Sequence, residues 1–285
     1  MDQARRTFRE QLETAWAKND SLLCVGLDPD LEHLPPHLLR KAQPIFAFNR
    51  SIVDATADLV CAYKPQIAHY SAVGAEHELE RTIQYIHECH PDIPVILDAK
   101  RGDIGSTAVM YAREAFERYD ADAVTVNPYL GYDALEPFLA HARRGILVLC
   151  RTSNPGGRAI QGDSDSKGGN DSDPLYLRIA RLGAQEWDEH GNVNFVVGAT
   201  EPEALARVRA VIGERAILVP GIGAQGGDPE AVVAAGLDSR GTGLVISSSR
   251  ALLYADDGLQ FAEAARDVAT RTRREINEAR QQIGV

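Results

Sequence analysis

The chain has 285 residues, 44% hydrophobic and 25% charged, a globular composition with enough apolar material for a large core. Its formal net charge of -11 argues against nonspecific binding to nucleic acid or anionic membranes, yet leaves room for a locally basic site that takes small anions. No apolar run approaches the roughly 20 residues that span a bilayer, and the polar start Met1-Asp2-Gln3-Ala4-Arg5-Arg6 lacks the apolar core of a signal peptide, so a cytoplasmic protein is expected.

A helix is predicted over about residues 3–18, followed by a strand at 22–27. The next strands are predicted at 59–63, 94–97, 123–126, 146–150, 194–197, 216–219 and 243–246. Between them, helical periodicity covers 44–57, 76–89, 107–119, 133–142, 174–189, 202–212 and 229–235, and a long helix over 259–283 closes the chain. Start signals precede several of these: Asp133 before an apolar run, and the pairs Asp173-Pro174, Glu201-Pro202 and Asp228-Pro229. Strands alternating with helices imply a parallel sheet, and short, continuously apolar strands imply that both its faces are covered. Eight such units predict a single (β/α)8 barrel domain over residues 1–285, with extra N- and C-terminal helices. A doubly wound open sheet is the competing architecture.

Residues 161–173 contain no apolar side chain and read as a surface loop after the fifth strand, where they could cover a bound substrate. Cys24, Cys61, Cys89 and Cys150 are scattered, without metal or CxxC spacing, and are expected to be free buried thiols in a reducing compartment. His33 and His37 flank two prolines, which forbid a shared helical face. Only five of the 30 basic residues are lysines, and this scarcity with the acidic excess suits a high-salt cytoplasm or a GC-rich genome.

The chemistry gathers at those ends. The third strand runs into Asp98-Ala99-Lys100-Arg101-Gly102-Asp103, and alternation along a strand puts Asp98 and Lys100 on one face. Buried charges are costly unless paired, and paired charges at a strand end mark active sites as well as plain ion-pair networks. Asp28 follows the first strand, Lys64 the second, Ser153 the fifth and Arg250 the eighth. After the seventh comes Gly221-x-Gly223-x-x-Gly226, with Gln225 and Gly227 beside it and a helix start at Asp228-Pro229. So late in the chain, this reads as a phosphate loop rather than a dinucleotide fingerprint, with Arg250 as a bidentate clamp.

Asp98-x-Lys100-x-x-Asp103 with Ile104 and Thr107, together with Asp28, Lys64, Ser153, the stretch 220–228 and Arg250, resembles the orotidine 5'-phosphate decarboxylase family over nearly the whole chain. The wording LDAKRGDIGST, the stretch 126–131 and the length resemble its longer bacterial/archaeal branch. One departure is Ser249, where the family usually has Gly before the arginine, and this touches local backbone geometry. The resemblance implies conversion of orotidine 5'-monophosphate to uridine 5'-monophosphate and CO2 without metal or organic cofactor. It implies catalysis by Asp98, Lys100 and Asp103. It also implies contacts to substrate from Asp28, Lys64, Ile104, Thr107, Ser153, Gln225, Gly226, Gly227 and Arg250. In the family, the second aspartate and the nearby threonine reach into the neighbouring subunit's site, so a homodimer with shared sites is implied for Asp103 and Thr107.

The alternative is a Mg-dependent sugar-phosphate decarboxylase or hexulose-phosphate synthase of the same superfamily. Those relatives are expected to carry a further acidic ligand on the second strand, where this chain has Lys64. A non-catalytic phosphate-binding barrel gains nothing from paired charges aimed at one point. A Schiff-base lysine at position 100 is disfavoured because flanking carboxylates raise an amine's pKa.

Overall fold

Eight parallel strands form one sheet: β1 (Leu23–Leu27), β2 (Ala62–Pro65), β3 (Ile96–Arg101), β4 (Ala123–Val126), β5 (Gly145–Arg151), β6 (Val193–Val197), β7 (Ile217–Pro220) and β8 (Leu244–Ser248). The computed structural model describes residues 6–162, 173–222 and 226–284. Ladders run continuously from β2 through β1, β8, β7, β6, β5 and β4 to β3. Isolated parallel bridges Tyr63↔Val95 and Gln66↔Asp98 then join β2 to β3 and close the (β/α)8 barrel. The open-sheet alternative falls with that closure.

Two strands start more than one residue later than their apolar runs predict. Leu59 and Val60 are buried but lie outside β2. Their carbonyls are taken by side chains, since Asn19 Nδ2 donates to Val60 O at 2.7 Å and Ser21 Oγ to Leu59 O at 2.6 Å. Pro94 has no N–H to give, and β3 begins beyond it and runs on through the charged residues to Arg101. Apolarity marked burial here, and backbone hydrogen bonding decided pairing.

Helices Pro44–Thr56, Glu76–Cys89, Gly105–Arg113, Tyr132–Leu139, Leu175–Gln185, Pro202–Ile212 and Pro229–Gly236 surround the barrel. Asp228 caps the last of these by accepting from Glu230 N at 3.0 Å. The predicted helix at 107–119 is realised as an α-helix followed by a π-helical turn, Glu114–Arg118. The closing helix, Phe261–Gln282, packs against both Pro229–Gly236 and Pro44–Thr56 and so takes the eighth place in the ring. The first helix, Phe8–Asn19, covers the N-terminal ends of the strands. Phe8 lies where a Cβ on Gly145 would come within 2.2 Å of its ring, and Trp16 Nε1 donates to Leu244 O at 3.1 Å. His33 ends a short 3-10 turn, and His37 follows in the loop. Cys24, Cys61 and Cys150 are buried free thiols, whereas Cys89 is exposed at the end of its helix. No helix among the described residues is long and apolar enough to cross a membrane.

Below β7 and β8, Arg209 gathers four backbone carbonyls. Its guanidinium donates to Gly236 O, Gly213 O, Arg215 O and Gly243 O at 2.6–2.8 Å. Burial pulls its pKa down to about 10. Arg209→Met keeps the stem and removes these hydrogen bonds, with only Gly243 O keeping its bond from Ile217 N. It is expected to cost about 3 kcal/mol and to lower Tm by roughly 5 °C or more, measured by calorimetry, with KM unchanged.

Candidate active site

The C-terminal ends of the strands surround a cavity of about 410 Å³. Its floor is charged. Asp98, only 6% exposed, accepts from Lys64 Nζ at 3.0 Å on Oδ2 and from Lys100 Nζ at 2.6 Å on Oδ1. Lys64, equally buried, also lies 3.7 Å from Asp28 Oδ1. Asp28, Lys64, Asp98 and Lys100 therefore form one alternating chain of charge drawn from three strands. Burial alone would push the Asp98 carboxyl up. The Lys64 and Lys100 ammonium groups, with hydrogen bonds from Lys100 and Thr125, outweigh it and hold Asp98 well below the usual carboxylate range. Burial would pull Lys64 down, but Asp28 and Asp98 outweigh that and raise it above the usual lysine range. Cys24, beneath this cluster, is pushed up to about 12, chiefly by burial, and stays a thiol.

Asp98 and Lys100 meet as strand alternation predicts, but not on a regular strand. Lys100 has φ +47°, and the β3–β4 register breaks between Leu97 and Arg101. A left-handed non-glycine residue costs roughly 1–2 kcal/mol, so this turn is held by its surroundings. Thr125 on β4, which the sequence reading did not single out, donates to Asp98 Oδ1 at 2.8 Å. Ser249, the departure at the glycine position, has a bonding role. Its hydroxyl donates to Asp28 Oδ2 at 2.7 Å. Gly26 makes room for it, since a Cβ there would sit 2.8 Å from Ser249 Cβ. Asp28 Oδ1 is buried and accepts no hydrogen bond, which leaves an acceptor at the cavity wall.

The rest of the wall comes from later strands. Ser153 lines the cavity and packs over Gly198, where no Cβ fits. The seventh loop contributes Gly221 and Ile222, and exposed Arg250 stands at the rim. That loop folds back through the bridge Ile222↔Gly227. Gly226 has φ +80°, and a Cβ on Gly227 would meet Ala199 Cβ at 2.5 Å. Gln225 lies outside the described residues, as does most of the predicted loop at 161–173. Gly226 and Gly227 lie further along their loop than the lining residues.

Asp103, Ile104 and Thr107 do not line this cavity. Asp103 accepts from Ile104 N at 2.8 Å, Ile104 is 59% exposed and Thr107 is exposed. All three follow β3, with Asp103 half-buried.

The geometry agrees with what the chain is similar to. The family model described as "Orotidine 5'-phosphate decarboxylase / HUMPS family" matches residues 21–265. The orotidine 5'-phosphate decarboxylase of Cupriavidus taiwanensis is 58% identical over 275 residues, 96% of this chain and 99% of the relative. The Leishmania donovani OMP decarboxylase structure superposes with a TM-score of 0.82 at 37% identity, covering 96% of this chain and 99% of that one. The Leishmania donovani UMP synthase structure gives a TM-score of 0.83 at 38% identity over 96% of this chain, which spans 56% of that longer chain. With its charged floor on β1, β2 and β3 and its glycine loop after β7, the chain belongs to the orotidine 5'-phosphate decarboxylase / HUMPS family.

Proposed function

We propose that the protein decarboxylates orotidine 5'-monophosphate to uridine 5'-monophosphate and CO2, the last step of de novo UMP synthesis. The carrying observation is the buried Lys64–Asp98–Lys100 array, in which Asp98 is held ionised on the cavity floor beside a lysine whose side chain is 46% exposed. The substrate's carboxylate at C6 sits against Asp98, so two like charges meet in a site that water screens poorly. Breaking the C6–carboxylate bond releases neutral CO2 and removes that repulsion, leaving the electron pair on C6. Lys100 Nζ stabilises this carbanion and then transfers a proton to C6, and solvent restores the lysine's proton. Only the charge that develops at C6 gains from Lys100, so its contribution falls on the transition state.

Asp28, whose Oδ1 accepts no hydrogen bond, takes a ribose hydroxyl beside Lys64, and Ser153 meets the pyrimidine edge. Gln225, Gly226, Gly227 and Arg250 hold the phosphate. Binding at the phosphate, far from C6, contributes the energy that sets the carboxylate against Asp98. Asp103, Ile104 and Thr107 serve the partner subunit's cavity in a homodimer. Support comes from the exposed apolar residues around them: Val109 and Met110 after β3, and Tyr129, Leu130 and Tyr132 after β4. Four unpaired thiols suit a cytoplasmic enzyme. Lys64 weighs against the Mg-dependent alternative, because its ammonium already stands between the two carboxylates that a cation would need. Wild-type protein is expected to consume orotidine 5'-monophosphate in a direct absorbance assay, at a rate that a metal chelator leaves unchanged. No turnover, or turnover that the chelator abolishes, overturns this reading.

A further inference from the structure

Thr125 sits on β4, inside the barrel and 1% exposed. Its hydroxyl oxygen accepts from Ala99 N at 3.0 Å and from Lys100 N at 2.9 Å. A hydroxyl has two acceptor sites and one O–H. With both acceptor sites filled by backbone amides, its one hydrogen is directed to Asp98 Oδ1, 2.8 Å away. One side chain thus touches three consecutive residues of the charged turn and uses its whole hydrogen-bonding capacity there.

The register shows why it is needed. β3 pairs with β4 at Leu97↔Val124 and again at Arg101↔Val126. Between those pairs β3 advances four residues while β4 advances two, so the extra residues bulge from the ladder. A bulge leaves amides without the ladder acceptor of a regular strand. The Thr125 oxygen supplies that acceptor for two successive amides, and it does so where Lys100 takes its left-handed φ of +47°. The same atom fixes the plane of the Asp98 carboxylate. Lys100 Nζ and the Thr125 hydroxyl share Oδ1 while Lys64 Nζ holds Oδ2, so rotation about the carboxylate's own axis breaks one of three contacts.

We propose that Thr125 is a positioning residue that holds Asp98 and the backbone of Lys100 in one register, so that the carboxylate and the ammonium face the same point of the substrate. The proposal rests on the decarboxylase reading for its rate effect but not for its geometry. It assigns the hydroxyl to the bulge and its chemistry rather than to the stability of the barrel. It places no contact between Thr125 and the ribose or phosphate, which bind on other strands.

The test compares full-length wild type with Thr125→Val, which keeps the shape and loses the hydroxyl, and Thr125→Ser, which keeps the hydroxyl. Wild-type turnover of orotidine 5'-monophosphate is measured first, and its absence counts against the decarboxylase reading alone. For Thr125→Val we expect kcat to fall about 10- to 100-fold, KM to change less than about threefold, and Thr125→Ser to return kcat to within about threefold of wild type. Amide exchange supplies a readout independent of activity. In Thr125→Val the amides of Ala99 and Lys100 are expected to exchange at least about tenfold faster, while that of Leu97 keeps its wild-type rate. A folded Val variant with wild-type kcat and unchanged exchange at Ala99 and Lys100 overturns the proposal. So does a rise in KM that matches the fall in kcat, or a Val variant that fails to fold, since either assigns Thr125 to binding or to the barrel.

Discussion

Lys100→Ala is expected to lower kcat by at least about 10⁴-fold, because it removes the proton donor to C6 and the charge that stabilises the carbanion there. KM should move far less, since the residues proposed to hold the ribose and phosphate lie on other strands. Steady-state kinetics with orotidine 5'-monophosphate decide this, and a variant within tenfold of wild type removes Lys100 from the chemistry. The surrounding ions also set the pH behaviour. Asp98 is held low, so its ion-pair stabilisation is complete above the ordinary carboxyl pKa near ~3.9 and is lost only as pH falls through its lowered value. Lys64 is held high, so its stabilisation is complete below the ordinary lysine value of ~10.4 and is lost only as pH rises through its raised value. Neither group titrates between about pH 5 and 9. Asp98→Asn should therefore lower kcat throughout that window without creating or removing an inflection in the kcat profile.

Mixing Lys100→Ala chains with Asp103→Ala chains should restore activity that neither variant has alone. In a twofold dimer with shared sites, a mixed pair holds one site carrying both substitutions and one carrying neither. Random exchange makes about half of the dimers mixed, so about one quarter of all sites are intact and the mixture should reach about one quarter of wild-type activity. The expectation comes from the position of Asp103, which follows β3 yet lies outside its own subunit's cavity. Activity that stays at the level of the separate variants after subunit exchange shows that Asp103 does not work across subunits.

The strand rhythm was legible because eight short apolar runs alternating with helical patterns, several opened by a start signal, leave few architectures. The charged floor was legible because aspartates and scarce lysines fell at the ends of those runs. The misses have physical causes. The run at 59–63 looks like a strand because burial and pairing share one apolar signal, and only the side chains of Asn19 and Ser21 free those carbonyls from the ladder. Thr125 lies within the run 123–126, where a threonine reads as an ordinary β-branched strand residue. Nothing in the sequence shows that its hydroxyl faces a bulge on the neighbouring strand. Ser249 was noticed for what it replaced rather than for its bond to Asp28. Asp103 was separable from the pair, because alternation puts Asp98 and Lys100 on one face while Asp103 lies past the strand, and it does not line the cavity that they line.

Barrel closure has a mechanical side. Seven of the eight neighbouring strand pairs are joined by ladders, while β2 and β3 meet through two single bridges, one of them at Asp98 itself. The Lys64–Asp98 ion pair crosses that same gap, 3.0 Å from one side to the other. The reactive charges are thus also the rivet in the weakest joint of the wall. Stabilising substitutions elsewhere would leave this joint as the place where the cylinder first opens. Substrate bound across Lys64 and Asp98 would clamp it shut, tying resistance to unfolding to occupancy of the site.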